Sequence, residues 1–174
     1  MSREFRNALG RFATGVVVVT VEHEGQIRGM TVNSFTSVSL DPPLVLVSID
    51  NKSSMHQILP KIGRYGISVL AEDQESFSRH YAGRPIPDLP YHFVRRLDMP
   101  LIEGATAHFV TKIVDAHPAG DHTLYVGLVE FFESREGRPL LFHAGSYDKL
   151  HPRETRAAIE DDSLFSIGTF DAKK

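Results

Sequence analysis

A closed or nearly closed β-barrel with short peripheral helices is the fold class this sequence predicts, and three observations lead there. Short runs rich in Val, Ile, Thr and Phe recur along most of the chain, bounded by Gly, Pro, Asn or Asp. Most of these runs are sequence neighbours joined by brief turns, which suits antiparallel pairing rather than the crossovers of a doubly wound sheet. The helical patterns between them are few and short, so they belong on the periphery of a barrel.

The elements follow in order. Phe5, Leu9 and Phe12 fall at i, i+4 and i+7, predicting an amphipathic helix that ends near Gly15 and lays its apolar stripe on a sheet. Residues 16–21 are β-branched throughout and read as a buried strand; residues 22–26, centred on Gly25, make a turn. Residues 27–40 read as a strand unusually rich in Ser, Thr and Asn that stops at Asp41-Pro42-Pro43, and residues 44–49 form a third strand. Ser53-Ser54 caps a helix through Leu59, because Pro60 disfavours helical geometry in the residue before it. Residues 66–70 resume strand character, and Asp73 is the expected N-cap of a helix through Tyr81 with Glu75 in its first turn. Residues 83–90 read as loop. Strands follow at 107–116, 123–134 and 140–143, with Gly120-Asp121 and Glu136-Gly137 as turn chemistry. Beyond Pro152 the pattern is helical through Asp161 and then polar. The expected organisation is thus one domain over residues 1–174, with the barrel at about 5–150 and a helical or extended arm at about 151–174.

Composition narrows the function. With 41% hydrophobic and 24% charged residues, the 174-residue chain has the make-up of a soluble domain able to bury its own core. A net charge of -3 without long like-charge runs argues against a nucleic-acid partner, which would require a concentrated excess of Lys and Arg. The absence of cysteine removes disulfides, thiolate metal sites and a cysteine nucleophile, so redox work here requires a borrowed cofactor. The opening MSREFRNALGRF lacks the unbroken apolar stretch of a signal peptide or membrane span, giving the expectation of a cytoplasmic protein with no membrane partner.

Three stretches carry candidate chemistry. In residues 29–43, GMTVNSFTSVSLDPP, hydroxyls and one amide alternate with Val and Phe at strand spacing. That is the pattern of a solvated sheet edge, and also of a surface whose small hydroxyls, amide and nearby glycine let backbone approach a flat heteroaromatic ring. Residues 49–54, IDNKSS, pass from a strand into a helix. Free amides at a helix N-terminus with Ser and Lys beside them form an anion site, although a capped turn with a surface lysine has the same sequence. No Walker loop and no GxGxxG fingerprint is present. Finally, Gly120-Asp121-His122 sets a histidine at the mouth of a barrel, as a ligand contact or an ordinary turn residue. His117, Asp121 and His122 match no helix-based metal motif, and no metal is expected.

In order and spacing, FRNALGRFATGVVVVT, GMTVNSFTSVSLDPPLVLVSI, GISVLAEDQESFSRHYA, the GDH turn and PLLFHAGSYDKL closely resemble the flavin reductase family with the FMN-binding split-barrel fold, over about residues 5–150. The resemblance implies an NAD(P)H-dependent flavin reductase that passes hydride from NADH or NADPH to FMN or FAD and supplies reduced flavin to a partner monooxygenase. It implies that Thr31, Asn33, Ser34, Thr36, Ser37 and Ser39 line the isoalloxazine and ribityl chain. Asp50, Asn51, Lys52, Ser53 and Ser54 match the loop near the flavin phosphate, with Arg84 adding charge, and His122, His143 and Tyr147 match the nicotinamide side. His122 is the candidate catalytic residue. A homodimer with flavin near the subunit interface is also implied. The chain departs from the family's usual pattern at residues 84–90, RPIPDLP, where three prolines leave both FMN and FAD open. Rival readings are a flavoprotein that keeps its flavin as an oxidase or electron carrier, and a barrel that binds flavin without catalysis.

Overall fold

The computed structural model describes residues 2–90 and 92–151, and the structural statements below concern these residues. The order of elements is α1 (Arg3–Leu9), β1 (Thr14–Gly15), β2 (Val17–His23), β3 (Gln26–Val32), β4 (Thr36–Leu40), β5 (Pro43–Asp50), α2 (Ser54–Ile62), β6 (Arg64–Val69) and α3 (Glu75–Tyr81). There follow β7 (Phe93–Arg96), β8 (Met99–Ile102), β9 (Ala107–Ala119), β10 (His122–Ser134), β11 (Leu140–His143) and β12 (Ser146–Lys149). All strand pairings are antiparallel: a seven-stranded sheet in the order β3-β2-β6-β9-β10-β5-β4, a three-stranded sheet β1-β11-β12 and the hairpin β7-β8. The expected mainly β class is what forms. The large sheet curls without closing, consistent with a split barrel, since its edges β3 and β4 are consecutive in the chain yet unpaired with each other.

The unbroken apolar run of β2 has a packing reason. Val17, Val19 and Val21 enter the barrel interior with Val47, Ile49, Tyr65, Ile67 and Tyr125, whereas Val16 and Val18 face a second core with Leu70, Ile102 and Leu140. Phe77 and Tyr81 of α3, with Phe142 and Tyr147 of the small sheet, close that second core. A strand buried on both faces gains nothing from polar alternation. Each fully buried Val or Ile contributes about 1.5–3 kcal/mol relative to exposure.

Several expectations are corrected. α1 stops at Leu9, not near Gly15, and buries no residue; Phe5, Leu9 and Phe12 are 50%, 57% and 78% exposed instead of covering a sheet. The helix is only seven residues long, so Phe12 falls in the turn after it. The strand expected over 27–40 is two strands, because Asn33-Ser34-Phe35 crosses from one edge of the sheet to the other. α2 runs past Leu59 to Ile62 with Pro60 inside, and ends at Gly63 with φ 70°. Proline removes the N–H that would reach the carbonyl of His56, and the buried Tyr125 hydroxyl stands 3.4 Å from that oxygen and 2.9 Å from His56 Nδ1. α3 follows Gln74, not Asp73; the Gln74 side chain accepts from Ala71 N at 3.0 Å and donates to Glu103 O at 2.8 Å. The hairpin β7-β8 was not anticipated, since its turn places Leu97 and Asp98 at φ 45° and 66° without the Asn-Gly chemistry that signals such turns. The arm expected at 151–174 lies outside the described residues apart from His151. Among the described residues no helix is long and apolar enough to cross a membrane.

Candidate active site

The loop from β5 into α2 is built by its own polar groups. Lys52 N donates to Asp50 Oδ1 at 2.8 Å, Ser53 N donates to Asp50 O at 3.0 Å, and Ser53 Oγ accepts from His56 N at 3.2 Å as the N-cap of α2. Asp50 and Ser53 therefore shape the loop, while Lys52 and Ser54 are exposed beside the free amides of the helix start. Ser53, Ser54 and Met55 form one wall of a groove of about 640 Å³. Residues 27–31 of β3 and residues 80–83 at the end of α3 complete it.

This groove meets two smaller recesses at Ala82. One, of about 180 Å³, is lined by Thr31, Asn33, Ser78, Phe142 and Tyr147; the other, of about 400 Å³, by Glu75, Arg79, Arg84, Ser146 and Tyr147. Thr31 Oγ1 donates to Ser78 O at 2.8 Å, which fixes β3 to α3 and leaves the threonine oxygen able to accept. Ser78 Oγ and Tyr147 OH are 2.7 Å apart, and Arg79, paired with Glu75 at 2.6 Å, lies 5.0 Å over the Tyr147 ring. The trough thus has a helix N-terminus with Ser53 and Ser54 at one end, hydroxyls and aromatic edges midway, and two arginines at the other. That donor set fits a long, flat, phosphorylated heteroaromatic molecule.

The hairpin turn between β9 and β10 stands beside the loop. His122 pairs with Asp50 in the β5–β10 register, and Asn51 N donates to Asp121 O at 3.0 Å. His122 Nδ1 donates to Asp121 Oδ1 at 2.7 Å, with the two side chains 41% and 73% exposed. The hydrogen bond from His122, followed by the electrostatics of the same residue, holds the Asp121 carboxyl below the usual carboxylate range; Lys52 adds to this. His117 pairs separately with Asp115 at 2.8 Å, and among the described residues no group of three His, Asp or Glu side chains converges as a metal site would require.

The expected site residues are only partly brought together. Thr31, Ser53, Ser54, Arg84 and Tyr147 line the trough, and Asn33 sits where its middle recess meets a further groove of about 620 Å³ that includes Ser34 and Thr36. Ser37 and Ser39 lie on the far edge strand β4, and His143 and His122 line none of these concavities. Asn33, expected on a buried strand, is exposed in the crossing segment. The glycine expected to admit a ring is already filled from within: a Cβ on Gly29 would come within 2.5 Å of the Tyr81 ring. Sequence reasoning missed His80, Tyr81 and Ala82 as wall residues, although HYAG, with Gly83 at φ 82°, marks the end of the helix that carries them.

The chain belongs to the flavin reductase family: the family described as "Flavin reductase like domain" matches residues 9–151. An NADH-dependent flavin reductase of Rhodococcus sp. is 51% identical over 148 residues, covering 83% of this chain and 84% of the relative. The reductase component of 4-hydroxyphenylacetate 3-monooxygenase from Thermus thermophilus is 37% identical, covering 86% and 97%. Among solved structures, the NADH:FAD oxidoreductase SgcE6 of Streptomyces globisporus, in complex with NAD and FAD fragments, superposes with a TM-score of 0.82 at 37% identity, covering 87% of this chain and 94% of that one. Homologues are thus NADH-dependent reductases of FMN or FAD, some of them components of monooxygenases.

Proposed function

We propose that this chain takes FMN or FAD and NADH, or NADPH, as diffusing substrates and releases reduced flavin to a partner monooxygenase. The observation that carries this reading is the start of α2, where Ser53 and Ser54 line the groove next to the exposed Lys52 and beside the turn that holds His122. In this reading Lys52, Ser54 and the amides of α2 hold the flavin phosphate, Thr31 and Asn33 hydrogen-bond the ring system, and Arg79 and Arg84 receive further charge. The nicotinamide donates a hydride that the flavin accepts, chemistry the cofactors bring with them. The protein's task is orientation, so His122 serves to position the nicotinamide and no strong acid or base is needed.

The proposed assembly is a homodimer. Its support is the bare edge of β4, where Val38 and Leu40 are 48% and 82% exposed, together with the uncovered Phe12. NADH oxidation followed with free FMN, then with FAD and with NADPH, tests the activity. Turnover of free flavin with flavin lost on dilution supports the reductase; a tightly retained flavin without turnover of the free form favours the oxidase or carrier. Analytical ultracentrifugation tests the dimer, and a monomer at micromolar concentration would remove it.

A further inference from the structure

We infer that Asn51 and Thr123 are positioning residues that couple the loop over residues 50–54 to the Gly120-Asp121-His122 turn, so that occupation of the phosphate end of the groove orders the turn. The inference rests on the function proposed above and deepens it, by tying two subsites that line separate parts of the surface.

Asn51 is the residue in the loop whose polar groups point away from it. Its backbone N–H donates to Asp121 O at 3.0 Å, its Nδ2 donates to Gly120 O at 3.5 Å, and its Oδ1 accepts from Thr123 Oγ1 at 2.7 Å. An asparagine in a tight turn commonly satisfies a backbone N–H of its own loop. Here Asp50 already does so, accepting from Lys52 N at 2.8 Å, and Ser53 caps the helix. The loop is therefore complete without the Asn51 side chain, which is spent on the neighbouring hairpin.

Thr123 faces inward and is 6% exposed, so its hydroxyl has the Asn51 oxygen as its partner in place of water. One residue separates Thr123 from Asp121, and one separates Asn51 from Ser53. A rigid link thus runs from the helix N-terminus to His122. Tyr125, two residues further along β10, is tied to His56 in the first turn of α2 and repeats the connection from below. Two sites joined by a link of this kind share the free energy of ordering it, and the effect is reciprocal.

The test uses Thr123→Val, which keeps shape and removes the hydroxyl, with Thr123→Ser as the conservative variant and Asn51→Ala as an independent break. Two readouts are taken on the full chain: hydrogen–deuterium exchange of residues 119–123 with and without FMN, and the Kd of NAD⁺ with and without FMN. In the wild type, FMN should protect the turn amides and tighten NAD⁺ by about fivefold or more. Thr123→Val and Asn51→Ala should abolish both effects, the Kd for FMN alone changing less than about twofold in Thr123→Val, and Thr123→Ser should keep them. Wild-type coupling retained in both breaking variants overturns the inference, as does an equal loss of FMN and NAD⁺ affinity accompanied by a fallen Tm. Should Thr123→Val fail to fold, Asn51→Ala decides alone. Wild-type protein that binds FMN without protecting the turn overturns the coupling and leaves the flavin reading standing, whereas failure to bind FMN at all overturns both.

Discussion

Ser34 Oγ lies 3.0 Å from both the amide nitrogen and the carbonyl oxygen of Ser48, so a single hydroxyl replaces the strand partner that β5 lacks beyond the end of β4. The hydroxyl accepts from one group and donates to the other, closing two backbone valences at the split of the barrel. Ser34→Ala should therefore lower stability by about 1–2 kcal/mol in urea denaturation and speed exchange of the Ser48 amide. An unchanged midpoint and unchanged exchange would mean that water serves Ser48 equally well.

The loop before α2 calls for separate substitutions rather than a combined one. Lys52→Ala and Ser54→Ala should weaken FMN binding with Tm unchanged, each by about 1.5–3 kcal/mol where a charge-assisted hydrogen bond is lost. Ser53→Ala should in addition cost about 1 kcal/mol of stability, because its hydroxyl caps the helix. Calorimetric titration of FMN and FAD into each variant, read beside thermal melts, separates the two roles. Affinity unchanged in Lys52→Ala and Ser54→Ala together removes phosphate recognition from this loop.

Gly29→Ala places a methyl group within 2.5 Å of the Tyr81 ring, on the strand that forms one wall of the 640 Å³ groove. Tyr81 must move. The expected result is weaker FMN binding together with a stability loss of about 1–3 kcal/mol, the usual scale of overpacking. A melt that falls with FMN affinity intact would separate this strand from the ligand.

Burial pushes the Tyr65 hydroxyl up to about 12, against a smaller opposing effect from its hydrogen bond with Thr111. The unfolded chain ionises near pH 10, so between pH 10 and about 12 it releases a proton that the folded chain keeps. Stability should be unaffected by this group below pH 10 and decline as pH rises toward 12. Tyr65→Phe should flatten that alkaline slope in denaturation curves taken across the range. A slope identical to wild type would assign the alkaline loss to other groups.

How much of this was legible in the sequence varies with the physics behind each signal. Residues 16–21 and 44–49 read correctly because β-branched density marks buried strands, residues 123–134 because turn chemistry bounds the run at both ends, and Ser53 because N-capping is a local hydrogen bond. The break at Asn33-Ser34-Phe35 was hidden: the chain bends at Asn33 with no Gly or Pro there to mark it, and β3 and β4 go to opposite edges of the sheet. Phe12 misled because its spacing fits a helix that the structure ends at Leu9. The loop residues were identified as a group, but their division of labour was not. Asp50 and Ser53 spend polar atoms on their own loop and helix, Asn51 spends its side chain on a hairpin about seventy residues away, and Lys52 and Ser54 stay exposed.

The central claim is that the start of α2 holds the flavin phosphate and that His122 positions the nicotinamide. The most direct measurement is stopped-flow reduction of the preformed enzyme–FMN complex by NADH in wild type and His122→Ala, read beside an FMN titration of both. If His122 positions the nicotinamide, as proposed, the variant should reduce FMN about tenfold to a hundredfold more slowly at low NADH, or about 1.4–2.8 kcal/mol, with its Kd for FMN nearly constant. Equal damage to FMN affinity and to reduction, or wild-type rates in the variant, would contradict the assignment.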